Sequence, residues 1–223
     1  MSGKLFVVAT PIGNLSDLSP RALQVLADSS AIICEDTRVT SKLLSHYGLF
    51  KPLLSYHHHS SPASLQKIIE RLVKGDNLSY VSDAGTPGVA DPVGHLVAAA
   101  AGQGVTVVPI PGASAVTAAL SVSGFNSQTY IFFGWPPHKK GRLTFFKEVA
   151  ANKRLAVLFE STHRIMKTLT ELAKVLPERQ LLVGRELTKV FETLYRGTAT
   201  EVIKQLSDSS TKGEFVIVIE GKN

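Results

Sequence analysis

Three clusters set a carboxylate beside a cation at the end of an apolar run: Glu35-Asp36-Thr37-Arg38, Glu160-Ser161-Thr162-His163-Arg164 and Arg185-Glu186-Leu187-Thr188-Lys189. A carboxylate can orient a poor nucleophile or accept its proton, and a guanidinium can hold phosphate oxygens by paired hydrogen bonds. Any one cluster also reads as a surface ion pair. Three of them at strand ends point to a cleft.

Three glycine-bearing loops complement these charges. Thr10-Pro11-Ile12-Gly13-Asn14-Leu15 follows the first apolar run, where open α/β sheets bind ligands, although proline and glycine also mark simple turns. Ser82-Asp83-Ala84-Gly85-Thr86-Pro87-Gly88-Val89-Ala90-Asp91-Pro92 has more glycines and carboxylates than a connector needs. Its glycines would let backbone approach a ligand, and Asp83 or Asp91 could accept hydrogen bonds or sit near a cationic group. Asp91-Pro92 reads equally as a helix cap followed by proline. In Pro109-Ile110-Pro111-Gly112-Ala113-Ser114-Ala115, a tight turn leads to free N–H groups that suit an adenine edge or a carboxylate, or else the small residues only permit close packing.

Two further features have chemical readings. Lys139-Lys140-Gly141-Arg142 follows Trp135-Pro136-Pro137, a basic loop beside an aromatic ring that suits RNA or reads as a solvated charge run. His57-His58-His59 is expected to be extended, so that only His57 and His59 share a face, and no metal site is expected. Gly102-Gln103-Gly104 precedes a strand and lacks the third glycine of a dinucleotide fingerprint.

The elements that must position these groups alternate. Apolar runs at 5–10, 31–35, 79–82, 105–110, 130–133, 155–160, 181–185 and 215–220 predict eight strands, several buried on both faces. Between them lie helix signals such as Ser19-Pro20 and Ser61-Pro62, a capping hydroxyl followed by proline. The fold class is therefore α/β. A small-residue helix expected over Ala113 to Val122 ends at Ser123-Gly124-Phe125-Asn126-Ser127, which places a lobe boundary there and predicts an N-terminal α/β lobe over 1–123 and a C-terminal one over 124–223.

Composition narrows the class. Of 223 residues, 44% are hydrophobic and 19% charged, a globular balance, and the longest apolar runs fall far short of the roughly 20 residues a membrane span needs. Cys34 is the one cysteine, which excludes an internal disulfide or a cysteine-built zinc site. With no export signature near the N-terminus, a cytoplasmic location is expected. The 24 basic against 18 acidic residues give a net charge of +6, which permits a polyanionic partner without demonstrating one.

Taken in order, the three charged clusters, the three glycine loops and Gly213-Glu214 before the last strand resemble the ribosomal RNA methyltransferases of the tetrapyrrole methylase superfamily, over nearly the whole chain. The resemblance implies S-adenosylmethionine bound in a cleft between two α/β lobes, a homodimer, and methyl transfer to the ribose 2′-oxygen of a cytidine in the decoding region of 16S RNA, free or within the small ribosomal subunit. Carried over by position, Pro11, Ile12, Gly13, Asn14 and Leu15 would line the cofactor pocket in the first loop. Asp83, Gly85, Thr86, Pro87, Val89 and Ala90 would do so in the second, and Gly112, Ala113 and Ser114 in the third. The second lobe would add Phe159, Glu160 and Ser161, then Arg185, Glu186 and Leu187, then Gly213, Glu214 and Phe215. Many relatives carry a further C-terminal segment; if that segment grips RNA there, grip here is expected from the two lobes, and Thr162 stands where many have proline, a change expected to alter loop stiffness more than chemistry.

Methyl transfer from sulfonium to oxygen is an in-line displacement that depends on alignment and exclusion of water. Glu160 or Asp36 is the expected proton acceptor or orienting carboxylate. Arg38, Arg164 and Arg185 are expected to hold phosphates, with Lys139, Lys140, Arg142 and Lys189 extending the RNA surface. A small-molecule methyltransferase of tetrapyrrole type and a non-catalytic RNA-binding module are the alternatives. The first would need an apolar trough, and the second leaves the glycine loops unexplained.

Overall fold

The computed structural model describes residues 2–222. The chain divides into two compact units, Met1–Ser114 and Ala115–Asn223. In the first, β1 (Lys4–Val8), α1 (Pro20–Asp28), β2 (Ala31–Cys34), α2 (Thr37–His46), β3 (Leu53–Ser55), α3 (Pro62–Val73), β4 (Leu78–Val81), α4 (Val93–Gly102) and β5 (Thr106–Ile110) follow in turn. The strands form one sheet in the order β3-β2-β4-β1-β5, every pairing parallel. All the loops that follow strands therefore leave from one edge.

Side-chain alternation explains the layers. On β2, Ala31 and Ile33 join a core with Leu72 of α3 and Leu96 of α4, whereas Ile32 and Cys34 join one with Leu26 of α1 and Leu44 of α2. Helices thus cover both faces, and β2 and β4 are buried throughout, β2 with an unbroken apolar sequence and β4 with Ser79 satisfied by the Ser29 hydroxyl at 2.7 Å. Ser19 and Ser61 cap α1 and α3 by accepting the Ala22 and Ser64 N–H groups, with proline at the first helical position.

The second unit holds α5 (Ala115–Ser121), β6 (Tyr130–Gly134), α6 (Arg142–Ala151), β7 (Leu155–Ser161), α7 (Ile165–Val175), β8 (Gln180–Arg185), β9 (Thr193–Thr198), α8 (Ala199–Ser207) and β10 (Glu214–Ile219). Its sheet runs β6-β7-β10-β8-β9, parallel between β6 and β7 and antiparallel elsewhere. Ala156 and Leu158 of β7 face the core beneath α6, α7 and α8, while Leu155 and Val157 face α5.

Three expectations change. Strands β3 and β9 lie outside the eight apolar runs. Both are sheet edges, and β9 (Thr-Leu-Tyr-Arg-Gly-Thr) buries only Tyr195, so neither needs a continuous apolar sequence. The division falls at Ser114/Ala115, not at 123/124, because Val116, Ala119 and Leu120 of α5 pack on Val216 and Val218 of β10. Residues 57–59 form a turn rather than an extended run, with His57 Nδ1 accepting the His59 N–H at 3.2 Å.

Candidate active site

The C-terminal edge of the first sheet gathers the three glycine loops. Thr10 N–H donates to the Gly85 carbonyl at 2.9 Å, Ala9 N–H to that of Ile110 at 3.0 Å, and Thr86 Oγ1 to that of Ala113 at 2.9 Å. These bonds tie the ends of β1, β4 and β5 into one surface. At Gly112 a Cβ would lie 2.9 Å from that of Ala9, and at Gly85, where φ is +80°, a Cβ would lie 3.0 Å from Ile12 Cγ2. Only glycine permits both approaches. Pro11, Gly85 and Pro87 form the buried floor, whereas Gly13, Asn14, Leu15, Asp83, Val89, Ala90 and Gly112 are exposed, with Ile12, Thr86, Ala113 and Ser114 between. Asn14 also caps the short 3-10 turn Leu15–Asp17, accepting the Ser16 N–H.

Asp91 is not the expected cap: Pro92 occupies the N-cap of α4, which starts at Val93, and Asp91 instead bonds the loop on either side of it. One carboxylate oxygen accepts the Gly88 N–H at 2.6 Å and closes the loop, and the other accepts the Val93 N–H at 3.1 Å at the start of α4. Asp83 accepts the Asp36 N–H at 3.1 Å, joining the ends of β4 and β2. Asp36 in turn caps α2, accepting the Arg38 N–H, and holds the Arg38 guanidinium in a two-pronged pair at 3.0 and 2.6 Å. That guanidinium keeps the Asp36 carboxyl down at about 2, which makes it a feeble base. Glu35 behaves oppositely. Burial, then Asp91 and Asp83, raise its carboxyl to about 7, although the Asp83 backbone N–H partly offsets them. The sequence motif alone gives Glu35 no role, because its surroundings come from β4 and the loop before α4.

In the second unit, antiparallel pairing sets Glu214 of β10 opposite Ser161 of β7, and Phe215 opposite Arg185 of β8. Three sequence-distant clusters meet for that reason. Thr162 Oγ1 bridges both the carbonyl and the N–H of Gly213 at 2.6 Å, so the hydroxyl, not ring stiffness, fixes this loop. Glu186 and Thr188 adopt left-handed backbone, φ +50° and +67°, in a turn held by Glu186 N–H to the Glu214 carbonyl. Burial alone would raise the Glu186 carboxyl, but Lys189 and the Glu214 N–H outweigh it and hold it below the usual range. Leu187 packs beneath Gly184, where a Cβ would lie 2.9 Å from it. Phe159 lies edge-on between Phe132 and the half-exposed Trp135.

Several expected contacts are already engaged. Glu160 is wholly buried: Oε1 accepts Ser161 N–H at 2.8 Å and faces Arg164 Nε at 3.1 Å, while Oε2 accepts Thr168 Oγ1 at 2.5 Å. It follows Ala156 and Leu158 on the core-facing parity of β7, so it is a structural anchor, not a solvent-facing base. Arg142 is 5% exposed, bonded to Glu171, the Pro137 carbonyl and Thr168, and stacked on Phe146, which removes it from any phosphate. Arg164 reaches Glu160, His138 and the Pro136 carbonyl. Arg185 donates to the Lys212 carbonyl, and Lys189 pairs with Glu186 and Glu214. Lys139 and Lys140 stay exposed, and the Arg38 side chain is 86% exposed despite its pair.

A parallel sheet whose carboxyl edge gathers glycine turns and carboxylates, followed by a second mixed sheet, defines a class. The chain belongs to the family described as Tetrapyrrole (Corrin/Porphyrin) Methylases, which matches residues 4–203, and it is an S-adenosylmethionine-dependent methyltransferase. Individual relatives sharpen this. It is 45% identical to a Xylella fastidiosa protein called ribosomal RNA small subunit methyltransferase I, over 98% of this chain and 82% of that one. A Thermotoga maritima protein of the same name is 38% identical over 99% of both chains. Among solved structures, a Thermus thermophilus uroporphyrin-III C-methyltransferase complexed with S-adenosylhomocysteine superposes with a TM-score of 0.66 at 15% identity, covering 98% of this chain and 97% of that one, which speaks to the fold alone.

Proposed function

We propose that this methyltransferase modifies the ribose 2′-oxygen of a cytidine in the decoding region of 16S ribosomal RNA, acting in the cytoplasm as a homodimer. The observation that carries the reading is the 38–46% identity, over nearly the whole chain, to proteins called ribosomal RNA small subunit methyltransferase I.

The chemistry of the first sheet's edge fits the cofactor. Backbone groups of 111–114 suit a purine edge, the close approaches at Gly85 and Gly112 leave backbone bare of side chains, and the carboxylates of Asp83, Asp91 and Glu35 suit ribose hydroxyls and a positive sulfonium. When bound, S-adenosylmethionine supplies an electrophilic methyl group. The loops around Gly13, Gly85 and Gly112 would hold it. Residues that stay exposed and basic suit the RNA: Lys139 and Lys140 beside Trp135, and Arg38. Arg142 and Arg164 serve RNA indirectly, by bonding the Pro137 and Pro136 carbonyls and so holding that loop.

The test is nucleoside mass analysis after incubating unmodified small subunits, and separately free 16S RNA, with isotope-labelled S-adenosylmethionine. The expected product is a single 2′-O-methylcytidine. A base-methylated nucleoside, or label in neither substrate, would contradict the proposal.

A further inference from the structure

At the carboxyl edge of the first sheet, one acid stands apart from the rest. Ile33 is in register with Tyr80, so Glu35, two residues on, continues the same face of the sheet. Across from it lie Asp83 from the end of β4, Asp91 before α4, and Tyr80 itself, with Tyr56 beyond. Of the flanking groups, Cys34 lies on the opposite face, Asp36 is neutralised by Arg38, and Arg38 is committed to that pair. Among the described residues, Glu35 therefore has two acids for neighbours and no cation of its own.

A second, independent observation concerns Tyr80. Its side chain is fully buried, and its hydroxyl faces Asp91 and Glu35, close enough to Asp91 to interact with it but without a hydrogen bond of good geometry to any described residue. An orphaned buried hydroxyl is costly, and a catalytic role is one of the recognised reasons for keeping such a group. A hydroxyl donor aimed at a cluster of acids suits the moment when one of them carries charge beside a ligand.

We propose that Glu35 is the carboxylate that takes the proton from the substrate's ribose hydroxyl, and that Tyr80 is the positioning residue that steadies it. The assignment rests on the ribose-methylation reading above. As the oxygen–carbon bond forms and the carbon–sulfur bond of S-adenosylmethionine breaks, the hydroxyl proton passes to the Glu35 carboxylate, leaving the methyl ether, neutral S-adenosylhomocysteine and a protonated Glu35, which later releases its proton to water. A base that titrates near the working pH is the effective kind, and the environment of Glu35 supplies one where Asp36 and Glu160 do not.

Single-turnover methylation of the small subunit, measured from pH 5.5 to 9 with saturating S-adenosylmethionine, tests this. The unaltered protein should gain rate through a midpoint near 7, and Glu35→Gln should be slower by about 100-fold or more with that midpoint gone. Glu35→Asp should retain part of the rate with a displaced midpoint, and Tyr80→Phe should move the midpoint upward by removing a donor to the anion. A Glu35→Gln protein that turns over normally, or that is restored simply by more S-adenosylmethionine, would overturn the assignment. If Glu35→Gln failed to fold, an unmoved midpoint in Glu35→Asp would overturn it equally. An unaltered protein inert on both subunits and RNA would instead overturn the ribose reading, and the acceptor role with it.

Discussion

Glu35 and Glu160 look alike in sequence: each ends an apolar strand and each has an arginine three or four residues on. Their fates differ because of which acid that arginine meets. Arg164 turns back to Glu160, which Thr168 and the Ser161 N–H complete into a buried, satisfied anchor. Arg38 pairs instead with Asp36, leaving Glu35 among Asp83 and Asp91 with its carboxyl raised to about 7. The same residue types thus yield a rivet in one unit and a titratable group in the other. Distance along the chain does not decide the role; the company assembled by other strands does.

The contrast can be broken most visibly at Glu160. Glu160→Ala leaves the largely buried Arg164 without its carboxylate and Thr168 without its acceptor, and should cost about 3–5 kcal/mol, read as a lower denaturation midpoint in urea. Stability unchanged within error would mean the anchor is not one. Arg142→Ala should cost about 2–4 kcal/mol by stranding Glu171 and Thr168, yet leave the salt dependence of RNA binding nearly unaltered. By contrast, Lys139→Ala with Lys140→Ala should barely change stability while making the slope of log affinity against log salt shallower by about 0.7 for each phosphate no longer neutralised.

Smaller effects sharpen the picture in the first unit. Gly112→Ala must push Ala9 away and should cost about 1–3 kcal/mol, together with affinity for S-adenosylhomocysteine by calorimetry. Glu35→Gln should do the opposite of Glu160→Ala. Because the folded state raises this carboxyl, stability is full below the unfolded value near 4.5 and declines as pH rises through about 7. Replacing it should therefore stabilise the protein above pH 7 by about 1 kcal/mol after allowance for solvent screening, with little change at pH 5, in a urea series at both pH values.

Much of the architecture is legible in the chain. Unbroken apolar runs mark the buried strands, and Ser19-Pro20 and Ser61-Pro62 mark helix starts, because those signals are local. The edge strands β3 and β9 are not legible, since an edge need not be apolar, and α5 falls on the wrong side of the expected boundary because its partner β10 lies about a hundred residues further on. Within the site, the three glycine loops are legible as a set, and so is their place after strands. The status of the charges is not. The parity of β7, with Ala156, Leu158 and then Glu160 facing the core, foretells burial of Glu160, but nothing local reveals that Thr168 and Arg164 complete it or that Arg142 turns inward to Glu171. Glu35 requires the β2–β4 pairing before its neighbours are known.

A crystal structure of the protein with S-adenosylhomocysteine tests the central claim most directly. The ligand should lie against the loops around Gly13, Gly85 and Gly112, its sulfur turned toward the face that carries Glu35. Density for the ligand away from that sheet edge, with those loops untouched, would contradict the account.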